Sequence, residues 1–172
     1  MFETLPISAG QLDTYRFLSL AWSAKMNFQK ALEYSYKFIS AATNSRFRYK
    51  HRQALFEAAT LLSSTGQNHK ALAAREKGLK LSLDFKNTYQ ARNFSASLLL
   101  NALYDEDVQK ARRYLMQLES LDTDKEFSFE ITLGRAIISA FSGQREASEK
   151  LFSELEKRQN TSPFILPMWK IT

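Results

Sequence analysis

The chain has 172 residues, a formal charge of +6, five glycines, three prolines and no cysteine. A disulfide scaffold, a thiolate metal site and a cysteine nucleophile are therefore excluded. Val108 is the lone valine, and Leu, Ala, Lys, Glu, Gln and Ser dominate, so the composition favours helix over sheet.

The first segment shows no basic stretch followed by an apolar run, so no signal peptide is expected. Leu12, Tyr15, Leu18, Ser19 and Trp22 then form an apolar stripe with helical spacing. After a break at 25–27, a second stripe runs through Phe28, Ala31, Leu32, Ser35, Phe38, Ile39 and Ala42. Beyond a break at 43–45 come seven residues of unusual composition, Arg46, Phe47, Arg48, Tyr49, Lys50, His51 and Arg52. Cations at a helix N-terminus oppose the helix dipole, so local energetics do not account for them. Leu55, Ala58, Ala59 and Leu62 continue that helix, and a break at 66–68 leads to a helix carrying Ala71.

The alternation continues to the end of the chain. A break at 85–87 precedes Ala91, Phe94, Leu98 and Ala102, and a break at 104–107 precedes Val108, Ala111, Leu115 and Leu118. The carboxylates of Asp105 and Asp107 suit a helix start. After a break at 122–124, Thr123 and Glu126 have the T-x-x-E spacing of a capping box. Phe127, Ile131, Gly134, Ile138 and Phe141 follow, then Gly143, then Ala147, Leu151 and Leu155. No stretch approaches the roughly 18 apolar residues of a membrane helix. The predicted unit is a helix pair, A then B, in four copies at about 10–44, 45–84, 85–122 and 123–159, one domain over 1–159. Residues 160–172, with Pro163, Pro167 and six apolar side chains, form an apolar tail, read as a cap on the last repeat or a linker.

Ala31, Ala71 and Ala111 lie 40 residues apart, with Ala147 as a weaker fourth copy 36 residues on. A small residue at that point lets two helices approach closely. Tyr15, Leu18, Trp22, Phe28 and Ala31, and again Leu55, Leu62, Gly66 and Ala71, fall at spacings that resemble the tetratricopeptide repeat (TPR) family. The third copy departs from the pattern with Glu106 where glycine is expected. Ordinary TPRs repeat at about 34 residues. The longer period is similar to extended variants in bacterial signalling proteins and transcription regulators, and in some eukaryotic scaffold proteins. HEAT and armadillo arrays share the length and remain the fold alternative.

The resemblance implies an all-α solenoid of about four antiparallel helix pairs in a right-handed superhelix. It also implies a concave surface lined by A helices. Carried over by the alanine register, the contact positions are Asp13, Arg16 and Leu20 in the first copy. The second gives Gln53, Phe56 and Thr60, with Tyr49 one turn earlier. The third gives Asn93, Ala96 and Leu100, with Tyr89 one turn earlier. Arg135 stands in for the fourth, which is out of register. Arg46, Arg48 and Arg52 add a cationic edge able to grip a carboxylate.

No catalytic motif is present. His51 and His69 lack a second ligand at metal-binding spacing, and G-x-S-x-G, P-loop and G-x-G-x-x-G patterns are missing. The expectation is therefore a non-enzymatic scaffold or sensor with no cofactor and no metal, binding a protein or peptide, and the charge permits an acidic partner. The alternatives are nucleic-acid binding through residues 46–52, and self-assembly into a homodimer through the apolar tail. The expected compartment is the cytoplasm, or the periplasm if a longer parent carries the domain there.

Overall fold

A computed structural model describes residues 7–159; the apolar tail falls outside them. Those residues form eight α-helices and no strand: α1 (Ala9–Ala24), α2 (Phe28–Thr43), α3 (Arg48–Ser64), α4 (Asn68–Asp84), α5 (Thr88–Tyr104), α6 (Val108–Leu121), α7 (Ser128–Phe141) and α8 (Arg145–Gln159). The chain divides into two compact units at residues 94 and 95, within α5. In the first unit α1 packs on α2, α2 on α3 and α3 on α4; in the second, α6 packs on α7 and α7 on α8. None of the described helices is long and apolar enough to cross a membrane.

One turn type recurs. Met26, Gly66, Lys86, Glu106 and Gly143 all lie in the left-handed region, with φ between 51° and 74°. The amide that follows each donates to the carbonyl five residues back: Asn27 to Trp22, Gln67 to Leu62, Asn87 to Ser82, Asp107 to Ala102 and Gln144 to Ser139, at 2.8–2.9 Å. This is the Schellman closure of a helix C-terminus. Glycine meets the left-handed requirement without strain at 66 and 143, and Met26, Lys86 and Glu106 adopt it regardless. The third copy therefore keeps the turn although its sequence departs from the pattern. The next helix is then capped at once, with Asn27 accepting from the Lys30 amide at 3.1 Å and Asp107 from the Lys110 amide at 3.0 Å.

The repeated turn corrects the register of the fourth copy. Gly143 and Gln144 align with Gly66 and Gln67 without a gap, which puts Ser148, not Ala147, opposite Ala71. Ser148 is buried and Ala147 is exposed. The requirement is for a small residue, not for alanine, so the alanine spacing places the fourth copy one position too early. The expected capping box at Thr123 and Glu126 does not form either. Helix α7 starts at Ser128, and the Asp122 carboxylate instead accepts from the Phe127 amide at 3.2 Å.

The small residues sit where paired helices cross. Ala31, Ala71 and Ala111 are fully buried. Ser19 of α1 donates its hydroxyl to the Ala31 carbonyl at 2.9 Å, and Ser148 of α8 donates to the Ala136 carbonyl of α7 at 2.9 Å. A one-carbon side chain reaches the partner backbone only when the helices are close. In α5 the matching position is Leu99, fully buried; a Cβ at Gly134 would lie 3.0 Å from its Cδ2, so glycine in α7 leaves room for it.

Volume between successive pairs is also exchanged. Phe38 of α2 and Ala54 of α3 share one buried cluster. Forty residues on, the positions are Gly78 of α4 and Phe94 of α5, and a Cβ on Gly78 would run into the Phe94 ring. The large side chain comes from the B helix in one case and from the A helix in the other. Phe94→Ala alone is expected to destabilise by about 3–5 kcal/mol, and Gly78→Phe alone by overpacking. The double variant should lose much less than the sum of the two, a coupling that thermal and urea unfolding of all four proteins measures; additive losses would contradict the exchange.

Arg75 takes the α4 position matched by Leu115 in α6. It is 7% exposed, its Nη2 donates to Ser63 at 3.0 Å, and its Nη1 has no partner. A buried guanidinium without a carboxylate costs more than it returns. Arg75→Leu should therefore stabilise by about 1–3 kcal/mol, seen as a rise in the thermal midpoint; an unchanged or lower midpoint would contradict this.

Candidate functional site

Helices α3 and the start of α5 enclose a cleft of about 220 Å³ lined by Gln53, Phe56, Glu57, Tyr89, Gln90, Asn93 and Phe94. Gln53, Phe56, Tyr89 and Asn93 are positions carried over by register. Glu57, Gln90 and Phe94 were not among them. Glu57 lies one helical turn after Gln53, and Gln90 lies 40 residues after Lys50, so period and spacing could have found both.

Each lining group is held by local packing. Phe94 is buried and meets the Phe56 ring edge-on at 5.4 Å between centroids, which fixes the floor of the cleft. Phe56 remains 37% exposed and Tyr89 61% exposed. Asn93 donates to the Tyr89 carbonyl at 2.9 Å, which leaves its side-chain oxygen free to accept. Glu57 accepts from Arg16 Nε at 2.7 Å and from Gln53 Nε2 at 3.1 Å. The cleft thus combines two exposed aromatic rings with three amides and a carboxylate already neutralised by Arg16.

Other carried-over positions have different neighbours. Asp13 forms an ion pair with Lys50 of α3, and Arg16 with Glu57, so both tie α1 to α3. Leu20 is exposed at 43%, and Thr60 is exposed with its hydroxyl on the Phe56 carbonyl at 3.1 Å. Ala96 is buried and Leu100 exposed. Arg135 is exposed and pairs with Glu119 of α6 at 2.8 Å. With Ser148 as reference, the fourth-copy equivalents of Gln53, Phe56 and Thr60 are Glu130, Leu133 and Ile137. Burial, reinforced by Asp122, raises the Glu130 pKa above the usual carboxylate value.

The basic run does not form one continuous strip. Arg46 is exposed beside the Phe47 ring, Tyr49 is exposed, and Lys50 is buried on Asp13. Arg48, His51 and Arg52 instead line a second cavity of about 260 Å³ with Ala42, Thr43, Ser45, Leu81 and Phe85. Arg48 stacks over the Phe85 ring at 4.4 Å and Arg52 lies 5.8 Å from the same centroid. Arg52, 5% exposed, donates its Nε to Gln90 of the cleft. No group of His, Asp or Glu among the described residues could hold a metal ion.

No protein-family model matches the sequence, and no curated protein matches it. Two crystal structures of a Podosopora anserina putative kinesin light chain with nearly identical TPR-like repeats, one of them a point variant, are similar to it in fold. They superpose with TM-scores of 0.69 and 0.68 at 15% identity, over 90% of this chain and 77% and 78% of theirs. The protein has the TPR-like repeat fold.

Burial holds the His51 pKa below 6.5, with Lys77 and Arg52 adding repulsion, and the ring contacts Thr43 Oγ1 at 3.1 Å. The unfolded chain then binds more protons than the folded one as pH falls through the ordinary imidazole range, so stability should drop on acidification from pH 7.5 to 5.5. His51→Gln should flatten that slope in urea-unfolding series; an unchanged slope would show that His51 is not its source.

Proposed function

We propose that this protein is a non-enzymatic peptide-binding module, and that the α3–α5 cleft takes an apolar side chain from an extended segment of a partner protein. The observation that carries this reading is that Gln53, Phe56, Tyr89 and Asn93, each carried over separately by register, line one cavity. Concave pockets with an apolar body and a few placed polar groups are what ligand sites generally look like. Phe56 and Tyr89 would grip the side chain. Gln53, Gln90 and Asn93 would meet the amides and carbonyls of the extended backbone, which an α-helical ligand would not offer.

Stacked helix pairs present long binding surfaces in repeat proteins generally, and the TPR-like fold is consistent with a scaffold or sensor role. On repeat length, we read the module as part of a larger bacterial signalling protein or transcription regulator. Strand-like binding of nucleic acid is less well supported, because Lys50 is buried on Asp13 and the other cations of the basic run do not form one continuous strip.

The test is selection from a displayed peptide library, followed by affinity measurement on variants. Tyr89→Ala should weaken a selected peptide by roughly 10- to 100-fold, the range of an interface hot spot. Because Tyr89 is largely exposed, the thermal midpoint should stay within a degree or two of wild type. Selected peptides that bind Tyr89→Ala and Asn93→Ala as tightly as wild type would overturn the assignment of the cleft.

A further inference from the structure

The second cavity, formed by the end of α2, the start of α3 and the end of α4, has a charge pattern that protein packing alone does not explain. Three of its eight lining side chains are basic, Arg48, His51 and Arg52, and none is acidic. Two guanidinium groups are held against one ring, Phe85. Like charges gathered in a cavity repel, and a native protein normally offsets that with a carboxylate. Lys50, in the same run, has one in Asp13. Among the described residues, Arg48 and Arg52 have none.

Arg52 is the most telling of the three. Its Nε is used on the neutral Gln90 amide, and its two terminal nitrogens meet no protein acceptor among the described residues, although the residue is only 5% exposed. The guanidinium plane is fixed by Phe85 and Gln90 with its remaining donors unspent, which suits bidentate recognition of an oxyanion. Arg48 lies alongside with all of its N–H groups available, and is exposed, so it can close over a ligand from outside. The hydroxyls of Thr43 and Ser45 are already donated to the carbonyls of Ile39 and Ala42, at 2.8 and 3.0 Å. They shape the wall and leave the binding to the cations.

We propose that this cavity binds a single phosphate group, carried by free phosphate or by a phosphorylated side chain of a partner. A phosphate monoester brings up to two negative charges and three acceptor oxygens, which matches two guanidiniums and an imidazole better than the single charge of a carboxylate. A polynucleotide fits less well, because it needs cations along a groove and stacking platforms in series; here the cations converge on one point. The proposal stands independently of the peptide cleft, with which the cavity shares no lining residue.

The experiment is an amide chemical-shift titration of the whole chain with inorganic phosphate. Sodium acetate and sodium chloride at equal ionic strength serve as controls. Expected are saturable shifts confined to Thr43, Ser45, residues 48–52 and Phe85, and affinity for acetate at least tenfold weaker. Arg48→Gln, a change at an exposed side chain, should weaken phosphate binding at least fivefold while leaving the remaining spectrum in place. Phe85→Leu, which removes the stacking ring, should weaken it as well. A phosphoserine peptide binding more tightly than inorganic phosphate supports delivery by a protein; equal affinities support the free ion. Shifts that grow linearly over all surface lysines, acetate binding as tight as phosphate, or Arg48→Gln binding like wild type would each overturn the assignment. So would a single-stranded oligonucleotide that displaces phosphate from these residues with an affinity falling steeply with salt.

Discussion

The structure depends on how closely two helices can approach where they cross. Ser19 faces Ala31, Ala59 faces Ala71 and Ala136 faces Ser148, and in the first and last of these a serine hydroxyl reaches the partner's carbonyl at 2.9 Å. Dispersion between backbones falls off steeply with distance, so a larger side chain here needs room made elsewhere, as Gly134 makes it for Leu99 in the third pair. Once the crossing is set, the Schellman turn has one geometry to satisfy, and it recurs at Met26, Gly66, Glu106 and Gly143. The residues that line the cleft follow from it, because the face α3 turns away from α4 is whatever the crossing leaves unused.

The sequence made the fold legible because its signals were redundant. Helix breaks, apolar stripes and a 40-residue spacing of alanines pointed to the same helix pairs. It failed where a single identity was read in place of a physical property. Ala147 was matched because it is alanine, yet Ser148 holds the crossing because it is small and can spend its hydroxyl on Ala136. With the fourth copy out of register, Arg135 stands in for its contact position, and the structure pairs it with Glu119. Thr123 and Glu126 have the letters of a capping box, but Asp122 captures the Phe127 amide first.

The candidate site was legible in part for the same reason. Gln53, Phe56, Tyr89 and Asn93 came from register alone. Which charges are already paired did not, since Asp13–Lys50 and Arg16–Glu57 join residues about 40 apart in sequence. Nor did the fate of the basic run, which an α-helix necessarily divides among its faces: Lys50 toward α1, and Arg48, His51 and Arg52 toward α2 and α4. Arg52 links the two cavities, lining one and bonded to Gln90 of the other.

The exchange of volume between Phe38 with Ala54 and Gly78 with Phe94 bears on how such a chain can change by recombination. Repeats in many arrays are near copies, and a unit can be duplicated, deleted or shuffled with little loss. Here the joints are keyed. Deleting the second helix pair would bring Phe38 against Phe94, two rings in the space of one. Placing Gly78 against Ala54 would leave a hole the size of a phenyl group. The order of the first three pairs is thus written into the shape of their contacts, and a change in repeat number there would need a compensating substitution at the same time.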